Sequence, residues 1–332
     1  MARQGRLHVP HATYFVVDRF DPRLDILAPG PSLHPAPDGL REIAESRRRF
    51  ESLLGYLVHR WCASVHAYCW LPRTALLLLR IGEPALERIM HTLRGRYSQY
   101  LRASGRSAGC AYRGRYGALM IDPEDYLLDV ARHIFWSPVH AGLCKAPLGY
   151  EHSSARTGLG ERDPAGLCDD TIHHALQQRG QLSRLGFARF LTAAPTPGFL
   201  RLLAHGSRLD RRIAGSSAFV REARRRAAKP PPAVSRDAIV SWAARRLSID
   251  ASQITAASRH TRSVEGRALV AWLATCSGTA TLTEVARWFD CDPSTLHRAL
   301  DRYASAHPTV FSGPAVAEFT AALAKEMPAP ED

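Results

Sequence analysis

Arginine and tyrosine are interleaved between residues 93 and 102. Arg94, Arg96 and Arg102 sit in one helix-like stretch (LRGRYSQYLR) with Tyr97 and Tyr100 between them, and Arg113 and Arg115 follow in YRGRY. A guanidinium meets phosphate oxygens as a planar fork, and a tyrosine ring stacks on an unpaired base, so this interleaving suits a surface that holds single-stranded nucleic acid. The same spacing also describes an ordinary amphipathic helix with its tyrosines in the core.

A second region of the same kind lies near the C-terminus. Residues 281–303, TLTEVARWFDCDPSTLHRALDRY, read as two helices around a tight turn. Leu282, Val285, Ala286 and Phe289 form the first apolar stripe, residues 290–292 the turn, and Asp292 the N-cap of a helix opening at Pro293. Leu296, Ala299 and Leu300 pack that helix back, which leaves Ser294, Thr295, His297, Arg298 and Arg302 to reach base edges or phosphates. Upstream, SRHTRSVEGRALVAWL brings Arg259, Arg262 and Arg267 to a further helix.

Catalytic groups are scarcer. His133 could attack a phosphate or bind a metal, but no second imidazole or carboxylate accompanies it. Tyr126, seven residues earlier, is about 10 Å away along a helix, too far to reach the same phosphate. His66 reads as a packed strand histidine, and His173 and His174 as a solvent-facing pair. The seven cysteines form no C-x-x-C pair, which argues against a disulfide framework and a structural zinc site.

The elements that must position these residues are legible as periodicity. Residues 13–18 (TYFVVD), 65–70, 75–79 and 116–121 read as strands. Residues 40–60 have apolar positions at helical spacing. Pro84 opens a helix to about residue 101. Residues 122–124 (DPE) open another to about residue 136, with Ser137 and Pro138 as its stop. Residues 27–39 read as an irregular loop. Strand–helix–strand–strand–helix–strand–helix is an α+β order with a mostly antiparallel sheet. Residues 144–226 read as helical, with Leu191, Phe199, Leu202 and Leu203 as core. AAKPPPAV at 227–234 reads as an extended spacer, residues 235–306 as all helical, and the terminal MPAPED as a tail.

The chain has 332 residues, 45% of them hydrophobic, and a formal net charge of +13 carried more by Arg than by Lys. That balance favours a polyanionic partner. No segment reads as a signal peptide or as long enough to span a bilayer, so a cytoplasmic, nucleoid-associated protein with no membrane partner is expected.

Five ordered segments of the first 150 residues, RLHVPHATY (6–14), VHAYCWLP (65–72), LRGRYSQY (93–100), YRGRY (112–116) and DYLLDVARHIFWSPVHAGL (125–143), resemble the REP-associated tyrosine transposases of the HUH single-strand nuclease superfamily. The resemblance implies a ferredoxin-like antiparallel sheet with helices. It also implies a tyrosine that attacks DNA, a Mg or Mn ion held by two histidines and a polar residue one helical turn beyond the tyrosine, and hairpin DNA with single-stranded flanks as the target. In this sequence the histidine positions are Thr74 and Leu76, the tyrosine position is His133, and the polar position is Ser137. An alkyl group is no ligand, and a neutral hydroxyl is a poor one. Residues 258–303 resemble the DNA-binding domain of the replication initiator DnaA, with D-P-S-T in place of D-H-[ST]-T.

The expected organisation is a transposase-like HUH domain at 1–150, a helical extension at 151–226, the spacer at 227–234, a helix–turn–helix domain at 235–306 and a terminal segment at 307–332. The expected function is DNA binding without catalysis and without a cofactor, by a monomer or homodimer. A transposase or nickase with a rebuilt site, and a scaffold that does not bind DNA, are the alternatives.

Overall fold

The computed structural model describes residues 7–24, 37–83, 85–107, 109–159, 161, 163, 165–180, 184–192, 195–228, 234–307 and 309–311, and near the C-terminus 315, 316, 318, 319 and 322. The residue 27–36 part of the expected loop, Pro84, residues 229–233 of the spacer and the MPAPED tail lie outside the described residues. The chain forms two compact units, one of residues 1–58, 63–81 and 85–228, the other of 59–62, 82–84 and 229–332.

The first unit is built on strand β1 (Thr13–Arg19). Helix α1 (Pro37–Arg60) follows, then the hairpin of β2 (Ser64–Leu71) and β3 (Thr74–Arg80), helix α2 (Leu86–Ala103), strand β4 (Gly117–Ile121) and helix α3 (Pro123–His140). All seven elements come in the order read from periodicity, and the architecture is α+β. The helices α4 (Thr171–Gln178), α5 (Arg184–Thr192) and α6 (Pro197–His205) come next, then a two-residue strand β5 (Ile213–Ala214) and helix α7 (Ser217–Ala228). The sheet order is β2-β3-β1-β4-β5, antiparallel except for β5, which runs parallel to β4. Two residues of IAGSS carry no alternation to read, so the helical expectation for 144–226 missed this strand. Its two main-chain links, Met120 N to Arg212 O and Asp122 N to Ala214 O, are made to backbone groups.

The pleat sorts β1 into two faces. Phe15 pairs with Leu78 and Val17 with Leu76 on the face covered by α3. There Ala67, Cys69, Leu76, Leu78, Leu119 and Ile121 share a core with Leu127, Ala131, Ile134 and Phe135 of α3 and with Phe187, Phe190 and Leu191 of α5. Phe199, Leu202 and Leu203 of α6 pack against that core as partly buried neighbours. On the other face Phe20 stands edge-on to Phe50 of α1 and Tyr97 of α2, and Phe50 edge-on to Trp70 of β2.

Several boundaries differ from expectation: helix α1 opens at Pro37, inside the stretch read as a loop, and α2 at Leu86. Helix α3 does not stop at Ser137 and Pro138 but runs to His140. A proline removes one N–H bond and crowds the carbonyl four residues earlier. Here it lies near the helix end, where Ser137 and Pro138 are buried, Ala141 N closes on Ser137 O at 3.0 Å, and Leu143 N on Pro138 O at 2.9 Å. Helix α7 carries on through Ala228, into the residues read as spacer.

The second unit holds α8 (Arg236–Leu247), α9 (Ala251–Thr255), α10 (Thr261–Cys276), α11 (Leu282–Trp288) and α12 (Pro293–Ala306). Helix α10 is buried on nearly every side from Ala268 to Cys276, which makes it the core helix of the unit. Its neighbour α9 comes so close that a Cβ at Gly266 would lie 2.7 Å from Ile254 Cγ1. No helix among the described residues is long and apolar enough to cross a membrane.

Candidate nucleic-acid interface

The four positions where the resemblance places cleavage chemistry fall in or beside the packed layer between the sheet and α3. Leu76 is 6% exposed and belongs to the core. Thr74 opens β3 opposite Arg19 and Leu71. His133 stands edge-on to Phe15, ring centroids 5.6 Å apart and planes at 84°. Its Nδ1 is buried without a hydrogen-bond partner. Burial, with the His140 charge as a lesser cause, pushes its pKa down to about 4. Ser137 Oγ donates to the His133 carbonyl at 2.8 Å, so this hydroxyl is used within its own helix. An alkyl chain, an engaged hydroxyl and one imidazole do not fit a divalent cation. Among the described residues no three His, Cys, Asp or Glu side chains converge as metal ligands would.

The Arg–Tyr helix is α2, and its structure corrects part of the expected DNA surface. Tyr97 is 0% exposed. Its Oη lies 2.7 Å from Ser46 Oγ, and its ring packs among Phe20 and Phe50. It is a core residue and offers no face to a base. Arg94 also turns inward. Its Nε lies 3.6 Å from Asp18 Oδ1, its Nη2 donates to Gly114 O at 2.5 Å, and its guanidinium covers the Tyr112 ring at 4.2 Å. Sequence reasoning placed both outward because it knew the helical spacing but not which stripe faced the sheet.

What α2 and the loop after it do present is narrower. Tyr100 is half-buried, stacked on Tyr97 and covered by Arg49 of α1 at 5.9 Å. Arg96 lies 5.3 Å over the Tyr56 ring, partly exposed. Arg102, Arg113 and Arg115 are exposed. Arg48 and Arg49 of α1, which the sequence reading passed over, are exposed as well. The run SRRRF was the available signal, with Ser46 and Phe50 facing inward, Arg47 turned to the His152 ring, and Arg48 and Arg49 on the rim.

In the second unit Asp292 caps α12 by accepting from Ser294 N at 2.7 Å and Thr295 N at 3.4 Å, with Pro293 at the first helical position. The hydrogen bonds to Ser294 hold the Asp292 carboxyl below the usual carboxylate range. Leu296, Ala299, Leu300 and Tyr303 are the buried stripe. Ser294, Thr295, Arg298 and Arg302 are exposed and His297 is half-exposed. Arg302 bonds Tyr303 Oη at 3.0 Å, Tyr303 Oη donates to Thr261 O of α10 at 3.2 Å, and His297 Nε2 lies 3.3 Å from Asp301. Upstream, Arg259 is exposed. Arg262 Nη1 donates to Leu247 O at 3.0 Å, and Arg267 donates to Ala256 O at 3.2 Å and to Ser258 O. Arg267 thus pins the turn before α10.

No family model matches this chain, and no curated protein matches it. Among solved structures, a REP-associated tyrosine transposase bound to a REP hairpin is similar over 51% of this chain and 89% of that one, at 14% identity and a TM-score of 0.39.

Proposed function

We propose that this protein is a DNA-binding relative of the REP-associated tyrosine transposases that holds DNA without cutting it. The exposed row Ser294, Thr295, Arg298 and Arg302 on α12 carries the reading. Its helix is fixed from behind by a buried stripe and capped by Asp292, so the row is presented rigidly, as a helix entering a major groove requires. On this reading α11 and α12 form a DnaA-like helix–turn–helix within a 235–306 module. The transposase-like region, residues 1–150, adds a basic rim of Arg48, Arg49, Arg102, Arg113 and Arg115 suited to the backbone of a hairpin or its single-stranded flanks. A net charge of +13 supports a polyanionic partner.

Loss of cleavage is supported by the packing at the resembling positions. Leu76 fills core, Ser137 bonds its own helix, and His133 sits against Phe15. A cation there would have too few donors to offset charge building on a scissile phosphate. Gel shifts of the full chain against hairpin, single-stranded and duplex DNA across a salt series test the reading. Binding tighter than that of a charge-matched control protein is expected, with no covalent adduct in Mg or Mn. Affinity no better than the control on all three DNAs rules it out.

A further inference from the structure

A cavity of about 380 Å³ opens at the end of the sheet formed by the start of β1 and the ends of β3 and β4. Thr74 and Arg80 bound β3, so along the strand the cavity lies about 20 Å from Thr74 and about 13 Å from Leu76. Its walls are largely apolar, with Val9, Met120, Ile121, Leu127 and Phe219 among them.

One buried polar ring points into it. His66 is 4% exposed and is the bulged residue of β2, where the register slips between Val65 and Ala67. A bulge re-aims a side chain out of the pleat. Asp169 meets the ring, with its Oδ1 and Oδ2 at 2.9 and 3.0 Å from Nδ1, and Asp169 N is tied to Val65 O at 2.9 Å beside the bulge. Burial works against the Asp169 charge, but the hydrogen bond and charge of His66 and the bonds from Thr171 hold its carboxyl below the ordinary range. An ionised carboxylate only accepts, so Nδ1 carries the proton and Nε2 is the nitrogen left for the cavity.

The rim is cationic. Arg80 Nε donates to His11 O at 3.1 Å, and Arg226 Nη2 donates to Pro10 O at 2.9 Å. Each guanidinium spends one nitrogen on the residue 10–11 turn and keeps N–H groups for a ligand. The one rim carboxylate, Glu222, is already held by Arg225 at 2.8 Å.

We propose that this cavity binds a phosphorylated nucleoside, free or as an unpaired nucleotide of a strand, with His66 Nε2 on the base edge and Arg80 and Arg226 on the phosphate. Apolar walls take the ring, His66 Nε2 hydrogen-bonds its polar edge, and the guanidinium pair takes the anion. The inference goes beyond the DNA-binding reading, because a free nucleotide would satisfy it in a protein that holds no DNA.

Calorimetric titration of the full chain with dAMP, dGMP, dCMP, dTMP and a six-nucleotide single strand tests it, beside hairpin binding. Saturable binding is expected for at least one probe, about tenfold weaker in His66→Ala and in the surface variant Arg80→Glu. Strong mononucleotide binding assigns a free nucleotide, and strand binding with the same sensitivity assigns an unpaired one. No binding by any probe, binding that both variants leave unchanged, or equal displacement by inorganic phosphate overturns the inference. Loss of hairpin binding alone would sink the DNA reading and leave this one standing.

Discussion

Arg94 Nε lies 3.6 Å from Asp18 Oδ1, and that carboxylate is 0% exposed on the inner side of the sheet. Neither Asp18 oxygen receives a well-formed hydrogen bond. Burial raises the Asp18 pKa to about 6 against the lowering effect of the Arg94 charge. Desolvation therefore outweighs the ion pair. Arg94 is an internal counter-charge and a lid on Tyr112. Arg94→Ala should cost roughly 2–3 kcal/mol in urea denaturation at pH 8, less than the roughly 3–5 kcal/mol of a fully buried pair because the arginine is partly exposed. DNA affinity per folded molecule should stay within about twofold. A large affinity loss with little change in stability would return Arg94 to the interface.

The same pair sets a pH dependence. Unfolded, an aspartate titrates near 3.9, and folded Asp18 titrates near 6, so the folded state holds the extra proton between those values. The contribution is full below about pH 4 and is lost as pH rises through 6. Asp18→Asn cannot lose a proton, so between pH 5 and 7.5 its melting temperature should fall less than that of the parent chain. Parallel curves would mean Asp18 stays ionised throughout.

His133 titrates in the opposite sense. Its folded pKa of about 4 lies below the unfolded value near 6.5, so its contribution is full above 6.5 and declines as pH falls toward 4. The size is of order 2–3 kcal/mol for a group this buried. His133→Phe keeps an aromatic edge near Phe15 and removes the orphaned Nδ1. It should flatten acid unfolding over that window and leave DNA binding unchanged. A fall in affinity would place His133 at the bound strand.

Element order was legible because strands such as TYFVVD and helices such as 40–60 carry their period in the sequence itself. Facing was not. Tyr97 and Arg102 sit five residues apart on one helix, and only the packing of α2 on Phe20 and Phe50 decides that the first is core and the second rim. Strand β5 was hidden because two residues have no period, and the His66–Asp169 contact because its partners are 103 residues apart. The α12 cap was readable in advance because an N-cap is a local matter of Asp, then Pro, then two N–H groups.

Tyr97→Phe separates the core reading of that ring from a base-stacking one. The variant loses the 2.7 Å contact with Ser46 Oγ and should be less stable by about 1 kcal/mol, with Ser46 left short of a partner. Its affinity for single-stranded DNA should not move. A stacking tyrosine would instead lose little on conversion to phenylalanine in either respect, so the stability change is the diagnostic.

Charge reversal on α12 addresses the interface directly. Arg298 Nε makes a long 3.4 Å contact to Ser294 O within its own helix and its charge acts on the exposed Asp292, so Arg298→Glu should cost little stability. Arg302 also covers the Tyr303 ring at 4.6 Å, so Arg302→Glu carries a packing cost that Arg302→Gln would partly spare. On duplex DNA, Arg298→Glu should weaken binding by about tenfold or more. If Arg298 meets a phosphate, the slope of log affinity against log salt falls by about one and all sequences suffer alike; if it meets a base, the slope holds and discrimination among sequences relaxes. The parent affinity and slope retained on every DNA tested would mean that α12 does not face DNA at all.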